Sequence, residues 1–388
     1  YGDALARLLE FAGHEVAREY YFNDAGGQVL NLGRSIQARA RGEAVPEDGY
    51  PGAYVAELAA ALEGAAERDA EDLAVAGGHL MIERIQATLE RFRVHFDTWF
   101  SERSLHDGAI ERAFEQAGDH VYRSEGALWL RTTDFGDDHD RVLVKSDGSP
   151  TYFAADLAYL ENKVERGYER LITPLGADHH GYVPRFKAAL AVLGTEPERL
   201  EIPLLQFVHL VERGERASMS KRRGEFITLD DLVEQIGIDA TRFFLLQRSH
   251  DSTIDLDLDL AREESAENPV YYVQYAHARI ASVLRKAGER GSEVIGDLSL
   301  HPAERELIKR LLAFPAEAAE AADRRAPHRI AVYALELAQT FTAFYRDCRV
   351  IGATPAAVES FRLGLCVATR RTIARALDLL GVSAPDSM

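Results

Sequence analysis

The stretch RLITPLGADHHGYVPRFKAALAVLG (Arg170–Gly194), followed by IPLLQFVHLV (Ile202–Val211), decides the fold. Arg170 to Leu175 is a short apolar run of strand length. Gly176 to Gly181 is a polar turn. Tyr182 to Leu193 has helical periodicity, and Gly194 stands just past its end, where a helix stops with least backbone strain. Ile202 to Val211 is again a strand. Strand, helix and strand joined by short connections predict parallel pairing in a sheet covered on both faces.

The same alternation extends toward the N-terminus. Asp3 to Phe11 is a helix (Leu5, Leu8, Leu9) with Gly13 as its stop. Glu15 to Phe22 reads as a strand running into the polar, Gly-rich Asn23–Gln28. Ala53 to Phe92 is helical, and Val94 to Phe100 a strand. Ala127–Arg131 and Arg141–Lys145 form a β pair around the acidic run Asp134-Phe135-Gly136-Asp137-Asp138, expected as an insertion in an otherwise parallel fold. Tyr152 to Arg166 is a helix. From about Asn268 the chain is nearly all helix. Val332, Leu335, Ala338, Phe341 and Tyr345 fall on one face, as do Ile373, Leu377 and Leu380. A domain boundary is therefore expected near Glu267.

Of 388 residues, 46% are hydrophobic and 28% charged, as in an ordinary folded domain pair. No apolar run reaches the length of a membrane-spanning helix. Cys348 and Cys366 are too few for a disulfide framework and lack zinc spacing, so two reduced thiols in the cytoplasm are expected. The net charge of −18 argues against a nucleic-acid partner only until it is divided. Pro269 to Met388 carries 16 Lys and Arg against 13 Asp and Glu, or +3, which leaves 29 against 50, or −21, for Tyr1 to Asn268. Domain composition alone explains such a difference equally well, so the asymmetry permits a nucleic-acid partner without requiring one.

Three constellations could carry chemistry. Ser218-Met219-Ser220-Lys221-Arg222-Arg223-Gly224 gathers cations and hydroxyls in a loop between a strand and the helix Thr228–Ile236, suited to a triphosphate. Taken alone, such a run is usually a solvated basic turn. Gly176-Ala177-Asp178-His179-His180-Gly181-Tyr182 follows a strand end, where doubly wound folds bind ligands. Asp178 there could accept from ribose hydroxyls, and Asp-His-His as a metal site is the weaker reading. In Ser149-Pro150-Thr151-Tyr152-Phe153-Ala154-Ala155-Asp156, Tyr152 and Asp156 share a helix face, and a carboxylate there could take a guanidinium in a bidentate fork. A helical Asp more commonly just faces solvent.

Together these segments resemble the arginyl-tRNA synthetases, a family of class I aminoacyl-tRNA synthetases, over nearly the whole chain. SMSKR (Ser218–Arg222) stands where that family has its KMSKS loop, with Ser218 in place of the usual Lys. GADHHGY resembles its nucleotide segment and PTYFAAD its arginine-reading helix. NPVYYVQYAHARI (Asn268–Ile280) and ARALDLLGVSAP (Ala374–Pro385) resemble the start and end of its anticodon-binding domain. The family's HIGH motif is missing, since no histidine here stands in an HxGH pattern. YGDALARLLEFAGHEV resembles the helix and strand immediately after HIGH, so that motif and an N-terminal domain are expected to precede Tyr1. The resemblance implies an α/β, class I Rossmann-like catalytic domain over 1–267, with an insertion at roughly 85–148 and the phosphate loop at 218–224. An all-α anticodon-binding domain over 268–388 follows.

The implied activity is ATP-dependent formation of arginyl-adenylate and transfer of arginine to tRNA(Arg). Lys221 would be catalytic. Gly176, Asp178, His179, His180, Val208, His209, Ser218, Met219, Ser220 and Lys221 would bind ATP, with Phe207 close to adenine. Tyr152 and Asp156 would bind arginine, and Arg346 and Arg349 the tRNA. Tyr345 is a third tRNA candidate but is expected in the core. ATP arrives with Mg²⁺; no protein-bound metal, no membrane and a monomer are expected. This segment by itself is expected to be impaired without HIGH. The rivals are another class I enzyme, such as a cysteinyl type, which a zinc-like Cys/His set would mark, and an RNA-binding paralogue without catalysis.

Overall fold

The computed structural model describes residues 1–216, 227–288 and 299–388, so the Ser218–Gly224 loop lies outside the described residues. The chain divides into two compact units. The first comprises Ala17–Glu90 and Phe96–Leu205, and the second Tyr1–Val16, Arg91–His95 and Gln206–Met388.

In the first unit Glu19–Phe22 pairs in parallel with Thr98–Ser101, with Tyr20 opposite Trp99 and Tyr21 opposite Phe100. Side chains alternate across a strand. Tyr20 packs with Phe96 and Trp99, while Tyr21 meets Phe100 and Tyr159. Both strands are shorter than their expected spans, Glu15–Phe22 and Val94–Phe100. At their shared start the Arg18 amide donates to the Asp97 carboxylate (2.7 Å) instead of to a strand carbonyl. The expected helix over 53–92 is two helices, Ala53–Ala61 and Ala70–Arg91, with Gly64 at positive φ between them. They join Gly27–Arg41 around Ile36, Val55, Leu58 and Leu73. Gly33 permits that closeness, because a Cβ there would overlap the Ala70 carbonyl oxygen.

The β pair of the insertion has a third member. Val121–Ser124 pairs antiparallel with Ala127–Leu130, which pairs with Arg141–Val144. Glu125 and Gly126 both take positive φ, the two-residue turn whose twist suits a hairpin. Leu171–Ile172 pairs in parallel with Leu200–Glu201, and Leu175–Gly176 with Leu204–Leu205. The expected continuous strands are thus interrupted at Pro174 and Pro203, which have no amide to donate. The amides of Thr173 and Leu175 carry the ladder across through the carbonyls of Glu201 and Pro203 (2.9 and 3.0 Å). Leu130, Leu143, Phe153, Leu157, Leu171, Leu190 and Leu200 form the main core of this unit.

In the second unit Val208–Glu212 pairs in parallel with Ile254–Asp257 and antiparallel with Glu215–Arg216. Helix Leu229–Leu246 opens on a reciprocal cap between Thr228 and Asp231 and kinks at Gly237. Helices Pro269–Ala287, Pro302–Asp323, His328–Asp347 and Ala356–Leu379 follow. Their shared core includes Val273, Ile280, Leu307, Leu337, Phe341, Phe344, Ile373 and Leu377. The face expected on the third of these helices is rotated. Ala338 and Phe341 are buried, but Val332 is 45% and Tyr345 37% exposed. The buried seam runs Ile330, Tyr333, Ala334, Leu337, Phe341, Phe344, because this helix packs against more than one neighbour.

Arg242, only 4% exposed, ties this unit together. It ion-pairs with Asp3 of helix Gly2–Phe11 and donates to the carbonyls of Leu380 (2.8 Å) and Phe92 (2.9 Å). Removing Arg242 leaves Asp3 with only the more exposed Arg7 (2.9 Å) and takes the donor from the Leu380 and Phe92 carbonyls. Arg242→Ala should therefore lower unfolding free energy by about 3–5 kcal/mol in chemical denaturation. The double variant Asp3→Asn/Arg242→Met should lose less, since neither member of the most buried pair then carries a charge. A loss below about 1 kcal/mol for Arg242→Ala would place the pair with exposed ones.

Candidate functional site

Helix Tyr152–Glu165 buries Phe153, Ala154, Ala155, Leu157, Ala158 and Leu160 in the core of the first unit. Asp156 and Tyr159, three apart, lie one turn from each other on the helix. Tyr159 meets Tyr21 at 4.6 Å and Phe100 at 4.8 Å between ring centres. The Tyr21 hydroxyl donates to Glu102 Oε2 (2.6 Å), and Glu102 is buried just past the strand Thr98–Ser101. Burial raises the Glu102 carboxyl, with the Tyr21 hydrogen bond opposing it.

Asp156 is partly buried and has no ion-pair partner among the described residues. Burial, and then the charge of Glu102, push its carboxyl up to about 7, while Arg185 pulls it back. It is a carboxylate short of one cation. Tyr152 stands one turn earlier on the helix and is 58% exposed. The other acidic group on the strand is already satisfied. Glu19 accepts from the Tyr159 hydroxyl and from Arg166. Nearby, Lys163 is brought down to about 8 by burial. Helical spacing pointed to Tyr152 and Asp156 but not to Glu102 or Tyr21. The position of Glu102, directly after a strand's C-terminal end, was the available signal.

Gly176 closes its strand, and Ala177–His179 make one tight turn. The Asp178 carboxylate folds back over Gly176, where a Cβ would approach Oδ1 to 2.5 Å. His179 Nε2 lies 3.8 Å from Asp178 Oδ2, and its ring meets Tyr182 edge-on at 5.2 Å. Asp178, His179 and His180 are all exposed, leaving acceptors and rings open beside a strand end. Val208 and His209 belong to the second unit, opposite Ile254 and Asp255 in the ladder, and Phe207 beside them is 59% exposed. Ser218, Met219, Ser220 and Lys221 lie outside the described residues. No three His, Cys, Asp or Glu side chains among the described residues are grouped to hold a metal ion.

In the second unit Tyr271, Tyr275 and Arg279 repeat every four residues along helix Pro269–Ala287. The two tyrosine rings stack at 6.1 Å. The Arg279 guanidinium lies 4.7 Å from the Tyr275 ring and 5.7 Å from that of Tyr345. Tyr345 stacks in turn on Phe341. Exposed π faces interleaved with a cation suit unpaired bases. This ladder went unread in Asn268–Ile280, and it corrects the expectation of Tyr345 as a core residue. Arg346 is exposed and held by Asp347 (2.7 Å). Arg349 is also exposed and donates to the Ile351 carbonyl (3.0 Å).

Comparison with known proteins bears on both units. Residues 77–282 match the family model for the catalytic domain of class I tRNA synthetases (R), and residues 273–388 the DALR anticodon binding domain. The arginine–tRNA ligase of Frankia alni is 50% identical, with all of this chain and 74% of that protein covered. That of Bacillus licheniformis is 45% identical, covering all of this chain and 73% of that protein. The structure of a putative arginyl-tRNA synthetase from Campylobacter jejuni superposes with a TM-score of 0.92 at 36% identity, over all of this chain and 88% of that one. Thermus thermophilus arginyl-tRNA synthetase gives 0.80 at 26%, over all of this chain and 78% of that one.

The raised Asp156 carboxyl has a consequence for stability. Between the unfolded-state value of about 4 and the folded value of about 7, the native protein binds the extra proton. The cost of the ionised group is absent below about pH 4, grows through that window and is complete above about 7. Asp156→Asn should therefore raise the melting temperature at pH above about 7 and have little effect near about pH 4. Equal effects at both ends would show that the carboxyl is not strained.

Proposed function

The chain belongs to the arginine–tRNA ligase family of class I tRNA synthetases, and from that premise we propose that Asp156, with Glu102 beside it, reads the guanidinium of the substrate. The reaction is ATP-dependent joining of arginine to tRNA. The observation that carries the proposal is the partly buried Asp156 carboxylate with no ion-pair partner among the described residues, which burial and the charge of Glu102 push toward its neutral form. A guanidinium supplies both the missing charge and two parallel donors. Lysine supplies the charge without the fork, and citrulline supplies neither charge nor the full donor set. Tyr152 flanks the same helix face.

The remaining roles extend the same proposal. The arginine carboxylate attacks the α-phosphate of ATP, forming arginyl-adenylate and releasing pyrophosphate. The 2′-hydroxyl of the terminal tRNA ribose then attacks the adenylate and releases AMP. Such transfers need positioning and charge stabilisation more than a covalent protein nucleophile. Gly176 and Asp178 would hold the ribose, with His179, His180, Val208 and His209 around the nucleotide. Ser218, Met219, Ser220 and Lys221 would meet the phosphates, Lys221 stabilising charge as pyrophosphate leaves. Mg²⁺ enters with ATP as part of the substrate.

Residues 1–267 would carry the chemistry and 268–388 would hold tRNA(Arg). On the helical side Arg346 and Arg349 are joined by the Tyr275–Arg279–Tyr345 ladder, whose exposed rings support base stacking. The protein would act as a monomer in the cytoplasm, its two thiols buried and unpaired.

Two substitutions in the full-length enzyme test the account. Asp156→Ala should raise the KM for arginine by about a hundredfold or more, as expected when a buried charged partner is lost, while the KM for ATP changes little. Equal rises in both would remove the guanidinium role. Lys221→Ala should depress arginine-dependent ATP–pyrophosphate exchange by about a hundredfold; unchanged exchange would take Lys221 out of the chemistry.

A further inference from the structure

Helix Tyr182–Val192 places Arg185 one turn beyond Tyr182. The guanidinium carbon of Arg185 sits 4.5 Å from the centre of the Tyr182 ring and 5.9 Å from that of Phe153. Phe153 precedes Asp156 by three residues on its helix, so the two project from adjacent turns. Stacking fixes the plane of a guanidinium without using its N–H donors. Here the Nε–H is buried, and no described residue accepts from it. A cation whose Nε–H has no acceptor among the described residues thus lies within electrostatic reach of Asp156, which has no ion-pair partner among them.

We propose that Arg185 is a positioning residue for arginine selection: stacked on Tyr182, it favours the ionised form of Asp156 while the substrate site is empty and leaves the carboxylate oxygens free for the incoming guanidinium. A direct Arg185–Asp156 pair would cap those oxygens and compete with substrate. A cation held alongside stabilises the charge through space without taking the acceptor positions. The groups facing Asp156 bear this out in sign. Glu102, from the turn after Thr98–Ser101, favours the neutral form, and Arg185 favours the charged form. Tyr21, from the strand Glu19–Phe22, spends its proton on Glu102. On the helix that carries Asp156, Tyr159 donates to Glu19, which Arg166 also holds, and Lys163 lies over the Tyr159 ring.

The inference rests on Asp156 being the guanidinium acceptor, so its test includes a control for that reading. KM and kcat for arginine are measured from about pH 6 to about pH 8.5 in full-length wild type, Arg185→Gln, Arg185→Lys and Asp156→Asn, a range that spans the Asp156 transition. Arg185→Gln should raise the arginine KM about fivefold at pH 7, with kcat changed less than about twofold, and the deficit should close by about pH 8.5 as Asp156 ionises unaided. Arg185→Lys keeps the charge and should retain most of the wild-type profile. A KM deficit in Arg185→Gln that is the same at every pH, or no deficit, overturns the inference. If Asp156→Asn leaves the KM unchanged, the reading of Asp156 falls and the inference with it. If Asp156→Asn raises the KM but Arg185→Gln shows no pH dependence, only the role of Arg185 is lost.

Discussion

A carboxylate kept largely out of water with no direct ion-pair partner is held against its own solvation, and Asp156 in the first unit is one such group among the described residues. The helix that carries Asp156 is anchored by the apolar stripe Phe153, Leu157, Leu160. The strand beneath it is read by alternation. Tyr20 goes to one aromatic cluster, and Glu19 and Tyr21 go to the other side. Three acidic groups belong to this part of the unit, and the fold treats them differently. Glu19 receives Arg166 and the Tyr159 hydroxyl, Glu102 receives the Tyr21 hydroxyl, and Asp156 receives no direct partner among the described residues. That asymmetry, more than any one residue, is what the proposed guanidinium role of Asp156 rests on.

The second unit shows the opposite use of buried charge. Arg242 has Asp3 and two carbonyls. Asp239 takes Arg93 (2.6 Å), the Gln274 amide (2.9 Å) and the Ser383 backbone amide (3.0 Å). Even in the insertion, burial would raise the Asp137 carboxyl, but the forked Arg141 brings it down to about 2. Arg242 and Asp239 join distant parts of one unit, Arg141 pins a local turn, and none of these pairs leaves a charge for a ligand to complete. A satisfied buried charge is an element of architecture. An unsatisfied one at the edge of a pocket has a use only when something else completes it.

This distinction also marks where the sequence was legible. The strand–loop–helix of Arg170–Leu193 and the helix stops at Gly13 and Gly194 could be read because periodicity and positive-φ glycine are local signals. Strand ends were overdrawn, since Asp97 takes the Arg18 amide and two prolines interrupt the ladder, and both are tertiary consequences of single residues. Val121–Ser124 shows no alternation, because its second half is exposed. The helix face containing Val332 and Tyr345 was misread because several partners widen and turn the buried seam. Asp156 was legible from its spacing to Tyr152 and from family resemblance, but its lack of a partner was not. Glu102 was one of 63 acidic residues, and only pairing in space distinguishes it.

Partnered and unpartnered charge also resolve the apparent conflict between a net charge of −18 and a polyanionic partner. At physiological ionic strength charges are screened beyond about 8 Å, so the total matters little once surfaces touch. What matters is which cations are uncommitted where bases can stack. Arg346 is matched by Asp347, which reduces its value as a phosphate ligand. Arg279 is different. Its contacts are the Tyr275 hydroxyl and two tyrosine faces rather than a carboxylate. No carboxylate among the described residues cancels its charge, and its plane is already set by stacking. An acidic protein can hold RNA by this means: a few rigid, uncancelled guanidinium groups between exposed rings, with the negative surface elsewhere disfavouring nonspecific contact.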